Sequence, residues 1–223
     1  MEMKFNFLYI LLLYCLFGYE KHEYKIKSFG IPVAKCIVTI SDTIYDNQIN
    51  TLLRYDVKTL NIFNTFYPVN NKYLIIIDDY YTTKYFEKNT IQPNIKNYIK
   101  TESRVDKIYY YDTDYLIPSK TLNIFSLLYA LINEPLNKGS YNKSMLEREG
   151  KFYFYSLEMI DQKYVLDLEP IDDNNGVIEY TDIFTWALFK ANVQRTIILN
   201  NNRIEKCLVK SGFLNFTAEY IYE

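Results

Sequence analysis

An all-β domain, mainly antiparallel and bent into a strongly curved sheet or open barrel around one buried helix, is the architecture this sequence predicts. Three observations predict it. Apolar and polar residues alternate with period two along most of the chain, as they do in strands with one dry face. Aromatic residues make up 17% of the 223 positions, with 24 Tyr and 14 Phe against only 6 Gly and 6 Pro, and aromatic side chains suit a half-buried pleated surface. A single dense apolar run at 121–133 breaks the alternation.

The N-terminus reads as an address. Lys4 precedes an apolar run, Phe5 to Phe17, that is interrupted only by Asn6 and ends at Gly18 before the polar Glu20, Lys21, His22 and Glu23. The run is shorter than the roughly 20 residues a spanning helix needs, and the order of charge, apolar stretch and small residue is that of a cleavable secretory signal. The expected organisation is a signal over 1–18 and one β-rich envelope domain over 19–223. Export to the periplasm or outer membrane of a bacterium follows, with no integral membrane segment left after cleavage. Cys15 raises acylation as a second route to the envelope, although the bulky Tyr14 precedes it where a small residue is preferred.

Strands are expected at 23–28, 33–41, 47–56, 58–66, 72–78, 81–88, 92–100, 104–111, 151–157, 162–169, 176–181, 194–199, 203–210 and 213–222. Ala34, Cys36, Val38 and Ile40 take the inward face of the second strand, and Leu214, Phe216, Ala218, Tyr220 and Tyr222 that of the last. Ser41-Asp42, Asn70-Asn71, Glu149-Gly150, Asn174 to Gly176 and Asn200 to Asn202 supply turns, because Asn and Gly tolerate positive φ. The run Leu122, Ile124, Phe125, Leu127, Leu128, Leu131 and Ile132 lies between Pro118 and Pro135, which bracket a helix. Ser119 or Thr121 can cap it. Apolar residues cover most of its circumference, so it should be buried on more than one side. Asp182 to Phe189 is a second candidate, a short capped helix or a strand.

The order Tyr24-Lys25-Ile26, Phe29-Gly30-Ile31-Pro32-Val33-Ala34, Tyr67-Pro68-Val69-Asn70-Asn71, Thr121 to Tyr129 and Glu147 to Lys151 resembles a bacterial exported family, domain of unknown function 3108. Ala34 stands where that family usually has glycine, and Asn133 lies near its arginine. The resemblance implies an envelope protein of predominantly antiparallel sheet, and no activity or catalytic residues.

The available chemistry is sparse. A formal net charge of −2 gives no electrostatic case for nucleic acid. His22 is the only histidine and is expected at the frayed start of the mature chain, so nucleophile and base pairs are not expected. Neither a metal site nor a cofactor is expected. Carboxylate pairs occur at Asp78/Asp79, Asp112/Asp114, Glu147/Glu149 and Asp172/Asp173; most read as turns. Ser126 is expected to bond a backbone carbonyl. Cys36 and Cys207 either form a disulfide, which the oxidising envelope permits, or stay as two buried thiols. Flat tyrosine faces together with the helix suggest ligand contacts at Phe125, Leu128, Tyr109, Tyr111, Tyr153 and Tyr155. The function expected is therefore a non-enzymatic binding or carrier module for an apolar ligand or partner, a lipid or another envelope protein. The alternative is a structural module without a cavity, and a carboxylate-dependent carbohydrate-active enzyme ranks last.

Overall fold

The computed structural model describes residues 19–104, 107–110, 116–118, 121–136, 141–171, 182–212 and 214–222. The strands are β1 Tyr19–Ser28, β2 Ile31–Tyr45, β3 Gln48–Thr59, β4 Asn70–Ile77, β5 Thr83–Gln92, β6 Ile95–Arg104, β7 Lys107–Tyr110, β8 Leu116–Pro118, β9 Tyr141–Arg148, β10 Lys151–Ile160, β11 Lys163–Pro170, β12 Gln194–Asn200, β13 Arg203–Ser211 and β14 Leu214–Tyr220. Three short helices accompany them: α1 Asn61–Phe66, α2 Ile124–Asn133 and α3 Ile183–Phe189. None of them is long and apolar enough to cross a membrane.

All the strands belong to one antiparallel sheet in the order β8 to β1, then β14 to β9. It is two meanders sewn together where the first strand meets the last, with Tyr24 opposite Tyr220 and Ile26 opposite Ala218. Two-residue turns with positive φ make the hairpins at Phe29-Gly30, Asp46-Asn47, Glu149-Gly150, Asp161-Gln162 and Asn201-Asn202, matching the right-handed twist of the strands they join. The predicted alternation holds on β2, where Ala34, Cys36 and Val38 are buried.

The expected strongly curved sheet or open barrel with one central helix is corrected by this topology: the sheet is open, and β8 and β9 are its two separate edges. The lead-in to α2 meets β9 near its C-terminal end, where Leu122 bridges to Leu146 and the Glu147 N–H donates to the Leu122 carbonyl at 2.8 Å. On β9, adjacent Leu146 and Glu147 are both buried, so the strand is covered on both faces.

Four local expectations also change. The strand expected at 58–66 is divided: β3 ends at Thr59 and α1 follows, with no buried residue. Ser41-Asp42 is interior to β2, and the turn falls at Asp46-Asn47, closed by the Asn50 amide donating to the carbonyls of Tyr45 and Gln48. Asn70 and Asn71 open β4 rather than forming a turn. His22 lies within β1, opposite Val38, rather than at a frayed end. The strand at 176–181, the turn at Asn174 and the signal at 1–18 lie outside the described residues.

Candidate functional site

Two features stand out: an apolar cavity on one face of the sheet and a buried polar cluster beside it. Helix α2 begins at Asn123, whose side chain accepts from the Ser126 N–H at 2.8 Å while the Ser126 hydroxyl accepts from the Asn123 N–H at 3.0 Å. This reciprocal pair satisfies two of the donors a helix start leaves open. Ser126 also donates to the Asn123 carbonyl. Ile124, Leu127 and Leu131 are buried on the helix. Phe125 enters a ring cluster, 4.7 Å from Tyr55 and 4.8 Å from Tyr73 between centroids.

Helix α3 is pinned at both ends. The Asp182 carboxylate accepts from the N–H groups of Phe184 at 2.8 Å and Thr185 at 2.9 Å, an N-cap. At the other end the Arg195 guanidinium donates to the carbonyls of Leu188, Lys190 and Val193, satisfying acceptors that a helix end leaves open.

Between α2, α3 and strands β13 and β14 lies an almost wholly apolar cavity of about 210 Å³, bounded by Phe125, Leu128, Phe184, Leu188, Phe216 and Ala218 among others. A second compartment of about 100 Å³ lies next to it toward β1 and β2, with Tyr55, Leu128, Cys207 and Ala218 as common walls. Core interiors are close-packed. The space is about half open to the surface rather than enclosed, so it is a groove that a guest can reach and not a sealed packing void.

The polar cluster centres on Lys88 of β5, which is fully buried with its ammonium between Glu149 and Asp182, the latter at 2.8 Å. Tyr110 of β7 donates to Glu147, which also accepts from the Gly150 N–H at 2.8 Å. Arg148 lies 3.6 Å from Glu149 and stacks over Phe189. Burial pushes Asp182 up, but the charge and hydrogen bond of Lys88, with Thr185, outweigh it and hold the carboxyl below its ordinary value. The cluster thus fastens β5 and β7 to the β9–β10 turn and to α3. Lys88 borders neither apolar compartment, and the chemistry of the cluster is that of a buried lock.

Burial pushes the Glu147 carboxyl up to about 7 from 4.5, with Glu149 adding to the rise and Tyr110, Gly150 and Arg148 opposing it. Between those values the folded chain holds a proton that the unfolded chain releases, so stability falls as pH rises through the window. Glu147→Gln is expected to remove that slope, worth on the order of 3 kcal/mol. The check is the urea midpoint of both proteins at about pH 5 and about pH 8.

Of the residues expected at a site, Phe125 and Leu128 both line the cavity. Tyr153 and Tyr155 are buried on β10, Tyr153 with its ring 4.9 Å from Phe189, and neither lines it. Tyr109 is partly exposed on β7. Tyr111, Asp112, Asp114, Asp172 and Asp173 lie outside the described residues. Asp78 is a turn residue, accepting from the N–H groups of Tyr80 and Thr82. Cys36 and Cys207 are free thiols; β1 and β14 run between their strands, three strand spacings or roughly 14 Å along the sheet. A disulfide needs Cα atoms within about 7 Å. Among the described residues no cluster of His, Cys, Asp or Glu could hold a metal ion.

Lys88, Asp182 as an ion partner, Tyr110 and the α3 side of the cavity were not anticipated. Lys88 did carry a signal: it shares the inward phase of β5 with Phe86 and Thr90, and a lysine in a dry register requires a buried partner.

The chain matches no protein-family model and no curated protein. It is similar in structure to a β-barrel-like protein of the domain of unknown function DUF1849 from Brucella abortus, with a TM-score of 0.52 and 9% identity over 91% of this chain and 97% of that one. The likeness is one of fold. It corrects the resemblance to domain of unknown function 3108. The segments that carried that resemblance are a hairpin at Phe29-Gly30 and a capped apolar helix at Asn123 to Tyr129, local devices that unrelated sheets share.

Proposed function

We propose that the protein is a non-enzymatic binding or carrier module of the bacterial cell envelope that takes an apolar ligand, an acyl chain, into the cavity beside α2. The observation that carries this reading is the apolar space of about 210 Å³ between Phe125, Leu128 and Ala218. An engineered apolar cavity of about 150 Å³ already binds a benzene-sized guest. Helix α2 lines this space and does not plug it. Export is supported by the sequence order of Lys4, the apolar run and Gly18. Native mass spectrometry of the protein purified from its own host tests the reading. Co-purified lipid that leaves on denaturation is the expected result, and a clean mass together with failure to bind added fatty acid counts against it.

A second reading, a docking module, is favoured by one observation. Phe29 and Ile31 at the β1–β2 turn and Ile62 and Phe66 on α1 are exposed, and α1 is tied to β2 through the Leu60 N–H and the Val33 carbonyl. Apolar surface of that kind marks contact with another envelope component.

A further inference from the structure

One end of the sheet is apolar at its tips and basic around them. The register sets the β1–β2 turn, the β3–β4 connection, the β5–β6 turn and the β13–β14 turn side by side: Ser28 faces Phe216, Ala34 faces Thr59, Lys58 faces Asn70 and Asn70 faces Ile91. Phe29, Ile31, Ile62, Phe66 and Ile91 are exposed there. Helix α1 carries three apolar side chains, yet none of its residues is buried, although a helix with an apolar face ordinarily covers it. It is fixed in place by Thr59, whose hydroxyl donates to Asn64 Oδ1 at 3.1 Å and accepts from the Val69 N–H at 3.0 Å. Helix α3 reaches the same end, where the Ile183 N–H donates to the Gln92 side chain at 3.3 Å. It exposes Trp186, the only tryptophan, with the Lys190 ammonium 5.1 Å from the ring centroid.

The charge on these turns has one sign. Residues 27–35, 57–72, 89–97 and 209–216 carry Lys27, Lys35, Lys58, Lys72, Lys96 and Lys210 and no Asp or Glu. Lys27 is taken by Glu219 and Lys35 by Glu23, and Lys72 stands opposite Asp56. Lys58, Lys96 and Lys210 are exposed, and among the described residues no carboxylate pairs with them. Beyond β13 the first exposed acids at this end are Asp167 and Glu169, two strands away on β11. The opposite end also exposes Ile44, Ile49 and Tyr80, but beside Asp42, Asp46, Asp78 and Asp79. Apolar side chains on separate turns, with lysines between them, suit a fluid surface that takes each one singly and supplies negative charge. Tryptophan and lysine together are the residues that anchor proteins at such an interface.

We propose that this end of the sheet seats on the face of an anionic phospholipid bilayer, with Phe29, Ile31, Ile62, Phe66 and Trp186 entering the headgroup layer and Lys58, Lys96 and Lys210 meeting the phosphates. The proposal rests on the docking reading, commits it to a lipid surface and does not depend on the cavity.

The test floats the mature chain with vesicles of phosphatidylglycerol and phosphatidylcholine in equal parts, and with vesicles of phosphatidylcholine alone. Binding to the mixed vesicles is expected to be about tenfold stronger or more, with the preference lost in high salt, and Trp186 emission is expected to shift to the blue. Ile62→Ser with Phe66→Ser is expected to weaken binding about tenfold; both residues are exposed, so folding is not at stake. Lys58→Gln, Lys96→Gln and Lys210→Gln together are expected to erase the preference for the mixed vesicles. Ile44→Ser with Ile49→Ser, at the opposite end, is expected to bind as the unaltered protein does. An equal loss there overturns the placement, as does binding without a shift in Trp186 emission. Equal binding to both kinds of vesicle overturns the choice of an anionic surface. Failure to bind either overturns the lipid surface itself, and the docking reading then survives only if sedimentation shows self-association that Phe66→Ser abolishes.

Discussion

Lys88→Met is expected to destabilise the protein by about 3–5 kcal/mol, the usual cost of stripping one partner from a buried ion cluster. Methionine is unbranched and one heavy atom shorter, so most of the packing along the stem is kept. What is lost is the charge between Glu149 and Asp182. Lys88 and Asp182 are completely buried and Glu149 nearly so, so water cannot take its place. With roughly 2–4 °C per kcal/mol for a domain of this size, the midpoint of thermal unfolding falls by about 10 °C. Lys163→Met at an exposed position of β11 is the control, expected within about 0.5 kcal/mol of the unaltered protein. Urea unfolding of the three proteins makes the comparison, and an unchanged midpoint for Lys88→Met would show that the cluster does not hold the two ends of the sheet. Ligand uptake should weaken in parallel, because Asp182 both caps α3 and binds Lys88, and α3 forms one wall of the cavity.

Ala218→Leu is expected to do the opposite: to leave stability unchanged or raise it by about 1 kcal/mol while lowering fatty-acid affinity at least tenfold. Ala218 lies on β14 and lines both compartments, so a larger side chain there grows into space that the acyl chain would fill. Added carbons contribute about 0.8 kcal/mol each when buried, less the strain of imperfect fit. Most enlargements in a close-packed core are destabilising, which makes tolerance at this position a test of the void. Full ligand affinity in a folded Ala218→Leu protein would place the ligand elsewhere.

The contrast between these two positions shows what the sequence does and does not convey. The inward phase of β2 is legible in Ala34, Cys36 and Val38, because alternation is a local signal. So is α2, from its apolar density between two prolines, although its cap is Asn123 with Ser126 and not the expected Ser119 or Thr121. Asp182 is legible as a cap from its place before an apolar run. The meeting of β1 with β14 has no local signal, since Tyr24 and Tyr220 are paired only by the completed topology. Glu147 and Glu149 are visible as a pair of acids, but their partners Tyr110 and Lys88 lie 37 and 61 residues away. The expectation of a strongly curved sheet or open barrel fails in the strand order, which leaves β8 and β9 as separate edges and which no local alternation announces. The cavity itself is an absence of atoms, and only the packed structure defines it. Phe125 and Leu128 are found as its lining because they sit on the densest apolar run, whereas α3 contributes through packing that periodicity does not encode.

The account rests on an acyl chain entering the space between α2, α3 and β13–β14. A crystal structure of the mature chain with ω-bromododecanoate tests that placement directly, since the bromine marks the end of the tail. The expected result is one anomalous peak among Phe125, Leu188 and Phe216. Bromine found only on the exposed Phe29, Ile62 and Phe66 surface, with the interior empty, would contradict it.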